Sequence, residues 1–154
     1  ARRVLLATNA FAAGHPRIRT RVATVRDRIL VTEPLTEDQR ARIGWRRRQG
    51  VYDTRTQLNY MRLIRDPAAG GDRILFGGKL AYATGGATSA PVDFEGRTYE
   101  SLADAFLRTF PQLDDLAFSH AWSGPIALTT RMAVHFQRYL GGAVRPAVPS
   151  GRGW

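Results

Sequence analysis

Between Leu58 and Tyr82 the sequence reads LNYMRLIRDPAAGGDRILFGGKLAY, and this stretch restricts the possible folds more than any other. Two strand-like runs, Leu58–Arg65 and Arg73–Gly77, flank the turn-rich loop Asp66-Pro-Ala-Ala-Gly-Gly-Asp72. Pro67 fixes its own φ and breaks the first run, while Gly70 and Gly71 supply positive φ without steric cost. Strand side chains alternate with a period of two, so Leu58, Tyr60 and Arg62 share one face and Asn59, Met61 and Leu63 the other. Ile74-Leu75-Phe76 is apolar on both faces and ends on Gly77-Gly78. Such a strand belongs inside a layered structure, and a glycine pair at its end lets another backbone or a ligand come close. The stretch therefore predicts an antiparallel hairpin whose outer end abuts a bound group; a plain core hairpin with a glycine turn fits the same residues.

The flanking chain supplies more strands and two helices. Arg3–Ala7 is a short buried-type strand that runs into Thr8-Asn9-Ala10-Phe11, as a strand of an α/β layer runs into its ligand. Ile18–Glu33 reads as a long strand ending at Pro34. Val22, Thr24, Arg26, Arg28 and Leu30 lie on one face; Ala23, Val25, Asp27, Ile29 and Val31 lie on the other and form the expected buried side, apolar but for Asp27. Thr36 is an N-cap candidate for a short helix closed by Gly44. From Phe94 the spacing of Leu102, Phe106 and Phe110 predicts a helix stopped by Pro111, followed by a strand over Phe118–Leu128 interrupted at Gly124-Pro125. Met132–Leu140 suits a short helix or a strand. Strands that are not separated by regular helices make this α+β, with a mainly antiparallel sheet.

Composition narrows the chemistry. With 154 residues the chain can bury one proper core. It has no cysteine, which excludes thiolate catalysis and cysteine-based metal sites. His15, His120 and His135 have no carboxylate or histidine at ligand spacing, so no metal site is expected. The net charge of +10 invites a nucleic-acid reading, but the basic residues are scattered and all but Lys79 are arginine. Only Arg46-Arg47-Arg48 clusters, as a solvated cap or as a phosphate contact. No segment is long and apolar enough for a bilayer helix, no signal-peptide pattern opens the chain, and the expected location is the cytoplasm. Ala1 at one end and Ser150-Gly-Arg-Gly-Trp154 at the other read as the ends of a piece cut from a longer protein.

Six strand ends occur in a telling order: RVLLATNAF, the long strand ending in TEPL, YDTR, LNYMRL, RILFGG and HAWSGPIALTTR. The series resembles the FAD-dependent amine and amino-acid oxidoreductases of the D-amino-acid oxidase and glycine oxidase superfamily, in the branch similar to gamma-glutamylputrescine oxidoreductase. The resemblance implies that residues 1–14 are a remnant of the FAD-binding layer. Residues 15–128 would be a substrate-binding domain, and 129–154 a degraded return toward the FAD layer. It places Thr8, Asn9 and Ala10 beside the FAD and Trp122, Ser123 and Gly124 near the flavin ring. Ser150 and Gly151 would remain from a turn against the flavin, with Tyr60 and Arg62 on the substrate side. Trp122 equally suits a core anchor, and Tyr60 a packed strand residue.

The resemblance also implies a small-molecule amine substrate and, as partner, the FAD-binding half of a parent chain. Its rival is a non-enzymatic basic module for nucleic acid or another anionic partner. The family's glycine-rich fingerprint would precede Ala1, so the fragment alone is expected to hold FAD weakly and to be inactive. Where amino-acid oxidases of this kind carry a carboxylate-clamping arginine soon after the Trp-x-Gly motif, this chain has Pro125, Ile126 and Ala127. A substrate without an adjacent carboxylate is therefore expected.

Overall fold

Register fixes the hairpin. In the structure, a computed structural model that describes residues 4–82, 96–136 and 144–148, strand β4 (Tyr60–Asp66) runs antiparallel to β5 (Gly71–Tyr82), pairing Tyr60 with Gly77 and Asp66 with Gly71. The turn is tighter than the sequence suggests. Asp66 Oδ1 accepts from the amides of Ala68 and Ala69 at 3.1 and 3.2 Å, so the aspartate side chain shapes the turn. Only Gly70, at φ +72°, needs the left-handed region there; Gly71 already pairs in the strand.

The remaining elements follow in order: β1 (Val4–Leu6), β2 (Val22–Thr32), helix α1 (Glu37–Ile43), β3 (Val51–Tyr52), then after the hairpin helix α2 (Gly96–Thr109), β6 (Phe118–Thr129), β7 (His135–Phe136) and β8 (Val144–Val148). Five strands form one sheet in the order β3-β4-β5-β2-β6, and β1, β8 and β7 form a smaller one. In the smaller sheet β1 is parallel to β8, and β8 is antiparallel to β7. The fold is α+β as expected. The strand over Phe118–Leu128 is continuous through Gly124-Pro125 and extends to Thr129. The short helix is capped as Thr36 and Gly44 predict. Thr36 Oγ1 accepts from the Gln39 amide at 3.1 Å, Gln39 Oε1 returns the bond to the Thr36 amide, and Gly44 sits at φ +61°.

The chain divides into two units. The first holds Ala1–Arg26, Ala81–Ala90 and Gly124–Trp154; the second holds Asp27–Leu80 and Pro91–Ser123. The second unit's core is aromatic. Met61, Leu63, Ile74 and Phe76 from the hairpin share it with Leu30 and with Leu102, Ala105 and Phe106 of α2. Phe106 meets Phe76 edge-on at 5.5 Å and Phe118 at 5.1 Å, an arrangement that suits the ring quadrupoles. The first unit's cluster is smaller: Ala12, Ile18, Val22 and Ala127.

One expectation about β2 needs correction. The face bearing Arg26 and Arg28 is buried, at 2% and 0% exposure, along with Thr24 and Thr32. β5 and β6 flank β2 in the sheet, and every residue of the strand is buried or half-buried. Arginine tolerates this because its long stem packs while the guanidinium finds acceptors; Arg28 Nη1 donates to the Lys79 carbonyl at 3.3 Å.

Candidate functional site

Three neighbouring strands build one polar feature. Tyr60 on β4 lies opposite Gly77 on β5, and a methyl group at Gly77 would fall inside the Tyr60 ring. With no side chain there, the ring passes over β5 and its hydroxyl donates to Asp27 Oδ2 on β2 at 2.6 Å. Gly77 therefore makes room for a side chain of the same sheet, not for a backbone or ligand from outside as the sequence suggested. Gly78 serves a different need: its φ of +153° is rare for residues with a Cβ, and a Cβ would lie 2.7 Å from Asn59 Oδ1. Asn59 is fixed by Asp53, whose carboxylate accepts from the Asn59 amide at 2.9 Å and from Nδ2 at 2.8 Å.

Asp27 is the residue that the sequence reading passed over. It stood out there as the one charge in an otherwise apolar set, and that exception was the available signal. Its Oδ1 is buried and has no hydrogen-bond partner among the described residues. Burial pushes the carboxyl above the usual aspartate range, against the opposing effects of the Tyr60 hydroxyl and Arg28. The Tyr60 phenol is raised as well, by burial and by the adjacent carboxylate. A carboxyl with one satisfied oxygen and one vacant buried oxygen suits a hydrogen-bond donor such as an ammonium or an N–H.

The other candidate residues fall as follows. Arg62, two positions from Tyr60 on the same strand face, is exposed and forms no ion pair among the described residues. Trp122 is 44% exposed on β6 and has the parity of Phe118, which packs on the core; Ser123 has the opposite parity. Ser119, sharing that opposite parity, accepts from Arg73 Nη1 at 2.8 Å. In the first unit, exposed Thr8 ends the run from β1 and its carbonyl accepts from the Phe11 amide at 3.1 Å. Asn9 adopts a left-handed φ of 50°, and its Oδ1 accepts from the Ala127 amide at 2.9 Å, tying the turn to β6. Ala10 is fully buried and can offer only backbone. Tyr60, Arg62, Trp122 and Ser123 thus belong to the second unit, and Thr8, Asn9, Ala10 and Gly124 to the first. Ser150 and Gly151 lie outside the described residues.

Some of the positive charge is internally matched. Arg48 of the basic cluster donates to Asp72 at 2.8 Å, and Arg40 reaches the same carboxylate at 3.2 Å. Those arginines, Arg48 first, hold the Asp72 carboxyl below its ordinary range. Among the described residues no group of acids and histidines could hold a metal ion, and no helix is long and apolar enough to cross a membrane.

Known proteins resemble this chain in sequence and fold. The family model for FAD dependent oxidoreductases (DAO) matches residues 1–146. Gamma-glutamylputrescine oxidoreductase of Escherichia coli is 31% identical over 140 residues, covering 90% of this chain and 30% of that protein. Fructosamine oxidase (Amadoriase II) of Aspergillus fumigatus has a similar structure, with a TM-score of 0.69 at 18% identity, over 99% of this chain and 38% of its own. Glycine oxidase of Bacillus cereus gives 0.62 at 12% identity, over 95% of this chain and 36% of its own. The two structural likenesses show a shared fold. The chain spans less than a third of the length of the curated relatives it matches.

Proposed function

The chain belongs to the FAD-dependent oxidoreductase family, and from that premise we propose that it is the substrate-side part of a cytoplasmic enzyme that oxidises the C–N bond of an amine. The family match across residues 1–146 carries this reading. When bound, FAD would take a hydride from the carbon bearing the nitrogen, leaving an imine that water hydrolyses.

The residues present fit the ring end of that cofactor. In the first unit, exposed Thr8 follows the carboxyl end of a parallel strand, the place where a layer of this kind meets a planar, polar cofactor ring. By contrast, the described residues include no glycine-rich turn from a strand into a helix to cradle a diphosphate. Val4 and Leu5 support a partner for this unit. They are 48% and 64% exposed on β1, although a strand in a parallel pair is ordinarily covered on both faces. FAD-binding elements of a longer protein would cover them. On this reading residues 1–14 and 129–154 join the FAD layer, and 15–128 form the substrate domain. Ser150 and Gly151 would complete the flavin edge.

On the substrate side, Tyr60 fixes one oxygen of Asp27, and the vacant Oδ1 accepts a proton donor from the amine. Arg62, exposed on the same strand face, is the substrate-side guanidinium of this reading. The β6 segment Pro125-Ile126-Ala127 offers no guanidinium fork for an adjacent carboxylate, so an amine such as a polyamine or its acylated derivative is preferred. The test compares turnover of putrescine derivatives with that of glycine and D-alanine in an intact homologue carrying the same WSGPIA segment. Faster turnover of the amines is expected. Faster turnover of the amino acids, abolished by Arg62→Met or Arg131→Met, would overturn the substrate class.

A further inference from the structure

The first unit contains a cavity of about 350 Å³ between the start of β2 and the segment that follows β6. Its walls are Arg21, Thr129, Arg131, Val134, His135 and Phe136, with Thr130 and Ala133 completing the rim. The turn that forms it is tied down. Thr129 Oγ1 donates to the Ala133 carbonyl at 2.6 Å and accepts from the Ala133 amide at 3.1 Å. The Met132 amide bonds Thr129 O at 2.9 Å, and Met132 itself is held at φ 53°. A methionine costs free energy in that region, so the closed turn is maintained against strain. The Thr130 amide then bonds the Arg21 carbonyl at 3.1 Å, which brings Arg21 to the same cavity as Arg131.

Two guanidinium groups and an imidazole line this space, and no acidic residue does. Neither Arg21 nor Arg131 forms an ion pair among the described residues, although several arginines elsewhere in the chain do. Like charges gathered in one concavity repel one another and focus a positive potential, and an anion between them reverses the sign of that interaction. A guanidinium fork matches a planar oxyanion, while Val134 and Phe136, both exposed, give the cavity an apolar side.

From this geometry we propose that the Arg21–Arg131 cavity is a binding site for a small organic carboxylate with an apolar body. The lining comes from the first unit alone, and the site stands independently of the amine-oxidase reading. Arg21 and Arg131 hold the carboxylate oxygens, and Phe136 and Val134 cover its hydrocarbon part.

Isothermal titration of the full 154-residue chain with benzoate, and separately with inorganic phosphate, tests the site. Saturable benzoate binding is expected, weakened by at least about tenfold in either Arg21→Met or Arg131→Met, as loss of one charge-assisted contact implies. Arg47→Met, in the second unit, is the control for general positive charge and should leave binding unchanged. Amide shifts on benzoate addition should centre on residues 129–136. Absence of saturation overturns the proposal, as does equal weakening by Arg47→Met. Phosphate binding without benzoate binding overturns the carboxylate assignment.

Discussion

The second unit closes on itself, while the first does not. Among the described residues, Phe106 of α2 sits against Phe76, Phe110 and Phe118, within a cluster of thirteen buried residues. The corresponding cluster of the first unit has four members, two of them alanine. That smaller unit nonetheless exposes Val4, Leu5, Phe11, Met132, Val134 and Phe136. On the proposed reading, FAD-binding elements of a longer protein would cover these side chains. The lesson is that buried apolar packing is distributed unevenly: one unit gathers a large aromatic core, and the other keeps a small core beside exposed apolar side chains.

Matched truncations sharpen this contrast most. Phe106→Ala should cost about 3–5 kcal/mol, because it empties the centre of the aromatic cluster. Ile18→Ala should cost less, near 2 kcal/mol, the low end for such deletions, since few buried neighbours surround it. Denaturant titration followed by tryptophan fluorescence would measure both. Equal losses would break the comparison.

A smaller effect is expected at the Tyr60 crossing. Gly77→Ala places a methyl group inside the ring's path and should destabilise by about 1–3 kcal/mol through overpacking. Removing the ring should relieve it, so the double variant Gly77→Ala/Tyr60→Ala should be less destabilised than the sum of the single changes. Strict additivity would show that Gly77 is required for some other reason.

Smaller still is the pH dependence, which has opposite signs at two aspartates. Burial raises the folded-state pKa of Asp27, so its contribution is fullest below the unfolded value of about 3.9 and is lost as pH rises through the raised value. Asp27→Asn should flatten that slope and leave the chain no less stable near neutral pH. Arg48 and Arg40 depress the pKa of Asp72, so its contribution is present above about 3.9 and is lost as pH falls through the depressed value. Asp72→Asn should therefore weaken the fold at neutral pH and make no difference in strong acid, with a modest amplitude because Arg48 is half exposed. Thermal melts of both variants from acid to neutral pH would check the signs.

Local patterns were legible in the sequence where one residue type satisfies one local requirement. Thr36 and Gly44 marked both ends of α1, Pro111 stopped the helix that carries Leu102 and Phe106, and period two identified the hairpin. The buried side of β2 was misread because Arg26 and Arg28 looked like solvent residues. Their burial depends on neighbours far away in sequence, such as the Lys79 carbonyl that accepts from Arg28. The glycine pair was recognised as a close-approach point, but its visitor is Tyr60 from the paired strand. Only the register of Tyr60 with Gly77 discloses that. The family was legible in the order of motifs, as the match over residues 1–146 bears out. Asp27 was not, because its importance arises from contact with Tyr60, thirty-three positions away.

The central claim is that this chain supplies the substrate-side sheet and the ring edge of a flavin site while the diphosphate is held elsewhere. Gel filtration of the purified chain after incubation with equimolar FAD, with the flavin absorbance read in the protein peak, addresses it directly. A protein peak essentially free of flavin is the predicted result. A yellow peak carrying stoichiometric FAD would contradict the account, because the chain would then hold FAD without a phosphate-cradling helix terminus.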